Sequence, residues 1–187
     1  MDRSRSVLEE IKQTRPFRSR GQEAAVAILL TADVVRRYVT AILEPQDVTL
    51  QQYNVLRILR GSHPDPLPTL EIGNRLIEQT PGITRLLDRL EEKGLVRRER
   101  CKADRRMVHC WITPAGLALL EALDLPIEEA DALCHAGLSE TEVDNLIDAL
   151  AGIRASYRQG RYGDAAAEEG LQSIPDRARP ENYPAPT

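Results

Sequence analysis

Small hydroxyl groups and guanidinium groups are concentrated in two short segments of this sequence. Residues 80–85 read Thr-Pro-Gly-Ile-Thr-Arg, and residues 102–106 read Lys-Ala-Asp-Arg-Arg. Compact residues let the start of a helix approach base edges closely, and arginine donates paired hydrogen bonds to guanine or phosphate. The two segments therefore predict a surface that reads one groove of double-stranded DNA and holds the adjacent groove.

The first segment is expected to open a recognition helix. Free N–H groups at a helix start favour a phosphate oxygen, and Gly82 lets the backbone come near. Arg85 and Arg89 lie four residues apart on one helical face, so one could contact guanine and the other phosphate, in an order that the sequence leaves open. The residues expected to contact DNA are Thr80, Pro81, Gly82, Thr84, Arg85, Arg89, Lys102, Arg105 and Arg106.

Asp104 is an exception within the second segment, because a carboxylate repels phosphate. We expect Asp104 to orient Arg106 and so to fix the conformation of the turn, which is a structural role, and to leave Arg105 freer. Both arginines suit a narrow minor groove, where negative potential is concentrated. Asp104 is therefore interpreted as part of the turn and not as a DNA contact.

An ordinary solvated helix face is the alternative explanation of the helical arginines, since ion pairs within one helix need no DNA. The residues concerned are Arg85, Arg89 and Lys93 against Asp88, Glu91 and Glu92. For a single arginine the sequence leaves both explanations open. The ordered set of a capped short helix, a Thr-Pro-Gly start, a glycine stop and an arginine-rich turn favours DNA binding.

Helical periodicity predicts the elements that must position these side chains. We expect a short helix near 7–13, a long helix over 21–43, a helix that Thr49 caps and that stops at Gly61, and a short helix that Thr69 caps. Thr80 is expected to cap the recognition helix, with Pro81 at its first position and Gly94 at its end. A helix from Pro114 to about Ala136, with a bend at Pro126, and a helix that Ser139 caps complete the set.

After Gly94 the period of the apolar residues changes from about 3.6 toward 2. Residues 95–101 and 107–112 are predicted to be two strands joined by the charged turn, and residues 62–68, with three prolines in seven positions, a loop. Cys101 and Cys110 flank the turn and could be cross-strand neighbours that form a redox pair. Two reduced cytosolic thiols are the favoured explanation.

Charge is distributed unevenly along the chain. The net charge is −4, yet residues 85–106 hold nine Lys and Arg against five Asp and Glu, which leaves −8 for the remainder. A positive surface on an acidic body still binds phosphate locally. No segment approaches the roughly 18–20 apolar residues of a membrane span, and no signal peptide is recognised. We expect a cytoplasmic protein without a membrane partner.

Catalytic and metal-binding patterns do not stand out. The three cysteines are widely spaced, without a CxxC pair or a histidine at motif spacing, and the sequence has no glycine-rich phosphate loop or carboxylate pair of catalytic type. We therefore expect no enzymatic activity, no cofactor and no metal site.

The sequence Thr-Arg-Leu-Leu-Asp-Arg-Leu-Glu-Glu-Lys-Gly-Leu-Val-Arg-Arg over residues 84–98 closely resembles the MarR family of winged-helix transcriptional regulators. The resemblance extends over about residues 20–157. The family's wing motif Asp-x-Arg falls on Asp104 and Arg106, and its Leu-Thr-x-x-Gly motif appears over 112–116 with Ile112 in place of Leu.

This resemblance implies an obligate homodimer that binds a pseudo-palindromic operator. Many members are released from DNA by a small phenolic or anionic effector bound between the dimer helices and the DNA-binding lobe, so a ligand-responsive repressor is expected. The resemblance names no effector-binding residue in this chain. No cysteine lies in the N-terminal helix, so the oxidant sensing known in some members is not supported. A winged helix that binds only proteins remains the alternative function.

The expected fold class is mainly α with a minor β component. It comprises a winged helix-turn-helix with a two-stranded β-wing and an all-helical dimerisation region formed by the N- and C-terminal helices. The expected organisation is an N-terminal arm (1–20), a dimerisation helix (21–48), the winged helix-turn-helix lobe (49–113), C-terminal dimerisation helices (114–157) and a disordered tail (158–187).

Overall fold

Helices form most of the described residues, together with one small antiparallel sheet. The computed structural model describes residues 6–78, 82–101, 104 and 106–159. These form two compact units, one ending at Cys134 and one beginning at His135. The elements are α1 (Val7–Glu10), α2 (Arg20–Leu43), α3 (Leu50–Ser62), β1 (Leu67–Pro68), α4 (Thr69–Arg75), α5 (Ile83–Glu92), β2 (Val96–Arg100), β3 (Val108–Ile112), α6 (Pro114–Cys134) and α7 (Glu140–Gln159). The mainly helical winged-helix class is confirmed.

The described strands form one antiparallel sheet of order β1-β3-β2. The hairpin β2–β3 is the expected wing. The extra strand, β1, lies in the segment predicted to be a loop, where Leu67 and Pro68 pair with Cys110 and His109. Leu67 is buried, and Pro68 lies on an edge strand where a missing N–H breaks no ladder. The sequence analysis predicted two strands, and the structure adds β1 as a third, short edge strand. The prediction was wrong in this respect.

Two capping boxes predicted from the sequence are confirmed. The Thr49 hydroxyl accepts the Gln52 N–H at 3.2 Å, and the Gln52 side chain accepts the Thr49 N–H at 3.0 Å. Ser139 and Glu142 make the reciprocal pair at the start of α7, with distances of 3.4 and 2.8 Å. Both boxes depend on bonds between residues three apart, which a sequence encodes directly.

The predicted cap at Thr69 is wrong. Thr69 is the first residue of α4, and Pro68 is the N-cap, without a side-chain hydrogen bond. The Thr69 hydroxyl instead donates to the carbonyl of Val108 at 3.3 Å. Because β1 pairs with β3, the Thr69 hydroxyl lies beside β3 and bonds to that strand. The N-terminus of α4 therefore has no side-chain cap.

The predicted start of the recognition helix is also wrong. Helix α5 begins at Ile83, and its N-cap is Gly82, with a φ of 114°. A helix cannot extend backwards through a left-handed residue, and glycine is the residue that adopts this φ without strain. Thr80 and Pro81 lie outside the described residues, so the cap expected at Thr80 is replaced by Gly82.

One hydrophobic core holds the lobe together and determines the orientation of α5. Leu87 and Leu90 of α5 are fully buried and Leu86 nearly so, as the predicted stripe requires, and Ile83 packs against the same core. The other fully buried large side chains come from several elements: Leu43, Val55, Leu56, Leu59, Ile72, Cys110 and Leu120. Burial of this stripe leaves the opposite face of α5 in solvent.

The long helices match the expected ranges closely. Helix α2 ends at Leu43 as predicted, α6 continues through Pro126 to Cys134, and α7 extends to Gln159, slightly past the expected boundary at 157. The expected disordered tail lies outside the described residues from 160 onward.

Two of these helices have apolar surface that their own unit does not cover. Leu29 and Tyr38 of α2 are 70% and 52% exposed, and none of the twenty described residues of α7 is buried. The exposed apolar residues of α7 are Leu146, Ile147, Ile153 and Tyr157.

Candidate nucleic-acid interface

The solvent face of α5 presents three of the predicted contact residues. Thr84, Arg85 and Arg89 are all exposed, and Gly82 lies exposed at the helix start. Neither guanidinium group has a hydrogen bond or an ion pair with another of the residues that the structure describes. Both arginines are therefore available to an external anion.

The acidic residues on the flank of α5 are bound by the wing. Arg98 of β2 places Nη2 2.5 Å from an Asp88 oxygen and 2.8 Å from a Glu91 oxygen. The Arg98 side chain is 20% exposed, and the backbone N–H of Arg98 also donates to Glu91 at 2.9 Å. Burial would lower the pKa of Arg98, but hydrogen bonds to Glu91 and Asp88 raise it above its usual value. Arg98 therefore remains a cation that joins α5 to β2.

Lys93 at the end of α5 is also bound outside the helix. Its ammonium group contacts the Asp47 carboxylate at 2.8 Å and the Asp47 backbone carbonyl. Together with the Arg98 cluster, this contact shows that the intrahelical pairs of the alternative explanation are not formed between the residues described here. The sequence did not assign a role to Arg98 or Asp47, because their partners come from other elements.

The end of α5 has the geometry expected from Gly94. Gly94 has a φ of 69°, its N–H donates to Glu91 at 2.8 Å, and the Leu95 N–H donates to Leu90 at 3.0 Å. These two bonds form a Schellman motif, in which a left-handed glycine satisfies the last carbonyls of a helix. The prediction of Gly94 as the helix stop is confirmed.

The joint between the wing and α6 is fixed against the same turn. The Thr113 hydroxyl donates to the Gly94 carbonyl at 2.7 Å and accepts the Gly116 N–H at 3.1 Å. A Cβ atom at Gly116 would lie 2.5 Å from the Leu95 carbonyl oxygen, so only glycine fits. Recognition helix, wing and α6 thus meet at one tightly packed turn.

Asp104 shapes the wing turn through the backbone. Its carboxylate accepts the backbone N–H of Arg106 at 2.9 Å, and its carbonyl accepts the Met107 N–H at 3.0 Å. An aspartate that binds the N–H two residues later is typical of a turn. Asp104 thus contacts Arg106 as expected, through the main chain, and the structure records no guanidinium contact between them within the described residues. Lys102 and Arg105 lie outside those residues.

The register of the wing excludes the cysteine pair. Arg100 pairs with Val108 and Arg98 with Cys110, so Cys101 and Cys110 are not cross-strand neighbours. The strands are paired symmetrically about the turn, and Cys110 lies further from it than Cys101. Cys110 is fully buried, and this burial raises the pKa of its thiol. The suggestion that the two cysteines are neighbours is wrong.

Two clefts border α5. The first, of about 700 Å³, lies between α2, α3 and α5, and it exposes the cationic side chains of Arg36, Arg89 and Lys93 beside acidic Glu44 and Glu92. The second, of about 600 Å³, lies between α4, the start of α5 and the wing. Its lining residues include Leu70, Thr84, Arg98, Arg106 and Met107. Both clefts are open to solvent.

Within the described part of the chain, no three His, Cys, Asp or Glu side chains are grouped so that they could hold a metal ion. In the same part, no helix combines the length and the apolar character needed to cross a bilayer.

This chain is similar in sequence and in structure to known proteins. The sequence model of the MarR family matches residues 48–108. A crystal structure of a MarR transcription factor from Planctomyces limnophilus is 37% identical, with a TM-score of 0.57, and the match covers 73% of this chain and 98% of that one.

Two further structures have similar folds. The MepR–DNA complex of S. aureus is 25% identical with a TM-score of 0.66, covering 71% of this chain and 96% of that one. The apo form of wild-type MarR from E. coli is 26% identical with a TM-score of 0.57, covering 74% and 98%.

Proposed function

This chain belongs to the MarR family of transcription regulators, and we propose that it binds a specific double-stranded DNA operator as a homodimer. The observation that carries the proposal is the pair of guanidinium groups, on Arg85 and Arg89, that face solvent without an internal partner among the described residues. Such groups are the usual donors to guanine and phosphate. The similar MepR chain, solved in a complex with DNA, supports the same conclusion.

The recognition helix is proposed to enter the major groove with its first turn. Gly82 and Thr84 are small enough for close approach, and Arg85 reaches base edges or phosphates from the next position. Arg106 at the wing suits the adjacent minor groove. Thr80, Pro81, Lys102 and Arg105 complete the proposed interface.

Dimerisation is proposed to cover the apolar faces of α2 and α7. These two helices belong to the segments 21–48 and 114–157, which we assign to dimerisation. An isologous pair is the commonest way to bury such faces. In a dimer whose recognition helices lie about 34 Å apart, each helix meets one of two successive major grooves, so the operator is pseudo-palindromic.

Regulation is proposed to occur through a small anionic or phenolic effector. The cleft between α2, α3 and α5 supports this proposal, because a ligand there would contact a dimerisation helix and the recognition helix together. Arg89 supplies a cationic group for an anion, and Arg36 and Lys93, which are paired with Asp33 and Asp47, line the same cleft. A ligand that binds one spacing of the recognition helices better than another shifts the dimer toward that spacing. We propose that the operator-bound form represses transcription in the cytoplasm.

Binding isotherms test this proposal. The DNA that flanks the gene of this protein is titrated at about 50 and about 200 mM salt, beside an unrelated duplex of equal length. We expect a preference for the flanking DNA of about a thousandfold or more. Simple phenolic acids added to the same titration are expected to lower the affinity for the flanking DNA. Equal affinity for both duplexes would contradict sequence-specific recognition, and no binding at low salt would favour the protein-binding alternative.

A further inference from the structure

We propose that Arg98 is a positioning residue for DNA binding, because it holds the carboxylate of Asp88 away from Arg85. The inference rests on the proposed function and specifies what keeps Arg85 available to contact DNA. Arg98 itself is mostly buried between α5 and β2.

The sequence of α5 would otherwise favour an internal ion pair. Arg85 and Asp88 are three residues apart, a spacing at which opposite charges on one helix meet. In the structure Asp88 is instead bound to Arg98 at 2.5 Å, and Arg85 has no ion pair among the described residues. The carboxylate has two candidate cations, and the one from the wing binds it.

Arg98 has two advantages over Arg85 in this competition. It is held beside two carboxylates at once, with Nε 2.9 Å from Glu91 and Nη2 2.5 Å from Asp88. It is also largely shielded from water, whereas Arg85 is exposed, and charge-assisted bonds are stronger where solvent is excluded. The backbone N–H of Arg98 binds Glu91 as well, so β2 stays attached to α5 independently of the guanidinium.

Loss of the guanidinium would therefore change the DNA-facing side of α5. The released Asp88 would compete with DNA for Arg85 and would also repel nearby phosphates. A homodimer carries this change in both subunits, so its effect on operator binding is doubled in free energy.

The test uses Arg98→Met, which retains an aliphatic stem of similar length. We expect operator affinity to fall about tenfold, from the competition and repulsion just described. The double variant Arg98→Met with Asp88→Asn should return to within about threefold of the wild type, since the carboxylate at pairing distance from Arg85 is then gone and the backbone N–H of residue 98 still holds Glu91. The readouts are operator isotherms and urea unfolding, which checks that each variant is folded.

Arg97→Met is the matched control. Arg97 is the neighbouring residue of β2, and its substitution removes the same charge but leaves Asp88 bound. Its guanidinium contacts Glu99 at 3.0 Å and lies 4.1 Å from the ring centre of Trp111. We expect this variant to bind the operator within about threefold of the wild type.

Several results would overturn the inference. A double variant as weak as Arg98→Met would mean that the cluster only fastens the wing to the helix. An equal loss in Arg97→Met would mean that total charge alone matters. If Arg98→Met does not fold, Arg98→Lys is tested instead. It should show a smaller loss of operator affinity, and adding Asp88→Asn should again restore that affinity. If Asp88→Asn did not restore it, the inference would also be overturned. A wild type that binds no DNA would instead remove the proposed function on which the inference rests.

Discussion

At the scale of single residues, the proposed DNA surface depends on how charge is distributed around α5. Arg98 binds the carboxylates on one flank of the helix, and Asp47 binds Lys93 at its end. Arg85 and Arg89 remain in solvent without a partner among the described residues. Because an exposed arginine already paired with a carboxylate is a poorer donor to DNA, the positions of the acidic residues matter as much as those of the arginines.

Arg85→Ala should weaken binding to the operator and reduce discrimination against other sequences. A paired contact from arginine to guanine is worth about 1–3 kcal/mol, and a dimer would lose two. Lys102→Ala, in contrast, should weaken all sequences alike and lower the salt slope of the dimer by about 2, which is about 1 for each subunit. Isotherms on operator and unrelated DNA measure both effects.

Arg20→Ala is the control for Arg85→Ala. Arg20 lies at the start of α2, outside the lobe, and its guanidinium is paired with Glu23 at 2.6 Å. This variant should bind the operator as the wild type does. If Arg85→Ala kept full discrimination, α5 would not be the helix that reads the sequence.

At the scale of elements, the two ends of α5 are fixed by left-handed glycines and, at its C-terminal end, by a hydrogen bond. Gly82 begins the helix and Gly94 ends it in left-handed conformations, and Thr113 ties the final turn to α6. The helix has only ten residues, which is too short for stability in isolation. Its orientation therefore depends on its buried leucines and on these terminal contacts.

Gly94→Ala and Gly61→Ala should change stability in opposite directions. Alanine at Gly94 must adopt a φ of 69°, so we expect a loss of about 1 kcal/mol in the free energy of unfolding. Gly61 lies in α3, and a Cβ atom there meets nothing within 4 Å, so alanine should add about 0.5–1 kcal/mol. Urea unfolding of the two variants gives both values. A Gly94→Ala protein as stable as the wild type would contradict the role of Gly94 in the Schellman motif.

Local elements could be predicted from the sequence because their determinants are close together in the chain. Helical periodicity gave the ranges of α2 and α6, and the caps at Thr49 and Ser139 depend on partners three residues away. The same reasoning failed for Thr69. Its hydroxyl contacts Val108, 39 residues away, and no local pattern encodes that partner.

The candidate site was predictable to a similar extent. The exposure of Arg85 and Arg89 follows from the apolar stripe on the opposite face of α5, so periodicity was sufficient. The role of Arg98 was not predictable in this way, because it depends on how the Gly94 turn places β2 beside the helix. The sequence placed Asp104 in the turn with Arg106 as its partner. The Asp104 carboxylate binds the backbone N–H of Arg106, and residue spacing alone could not distinguish this contact from one with the guanidinium.

At the scale of the whole molecule, we propose that a partner covers the exposed apolar faces of α2 and α7. A twenty-residue helix without a buried residue, such as α7, has little to stabilise it within one chain. A second copy of the chain would cover this surface, and the same pairing would supply the second recognition helix. Dimer formation and operator recognition are thus parts of one proposal.

Hydroxyl-radical footprinting on the DNA that flanks the gene tests the central claim most directly. A dimer that places two α5 helices in successive major grooves predicts two protected regions, related by twofold symmetry and about one helical turn apart. A single protected region, or uniform cleavage at protein concentrations that saturate binding, would contradict the account.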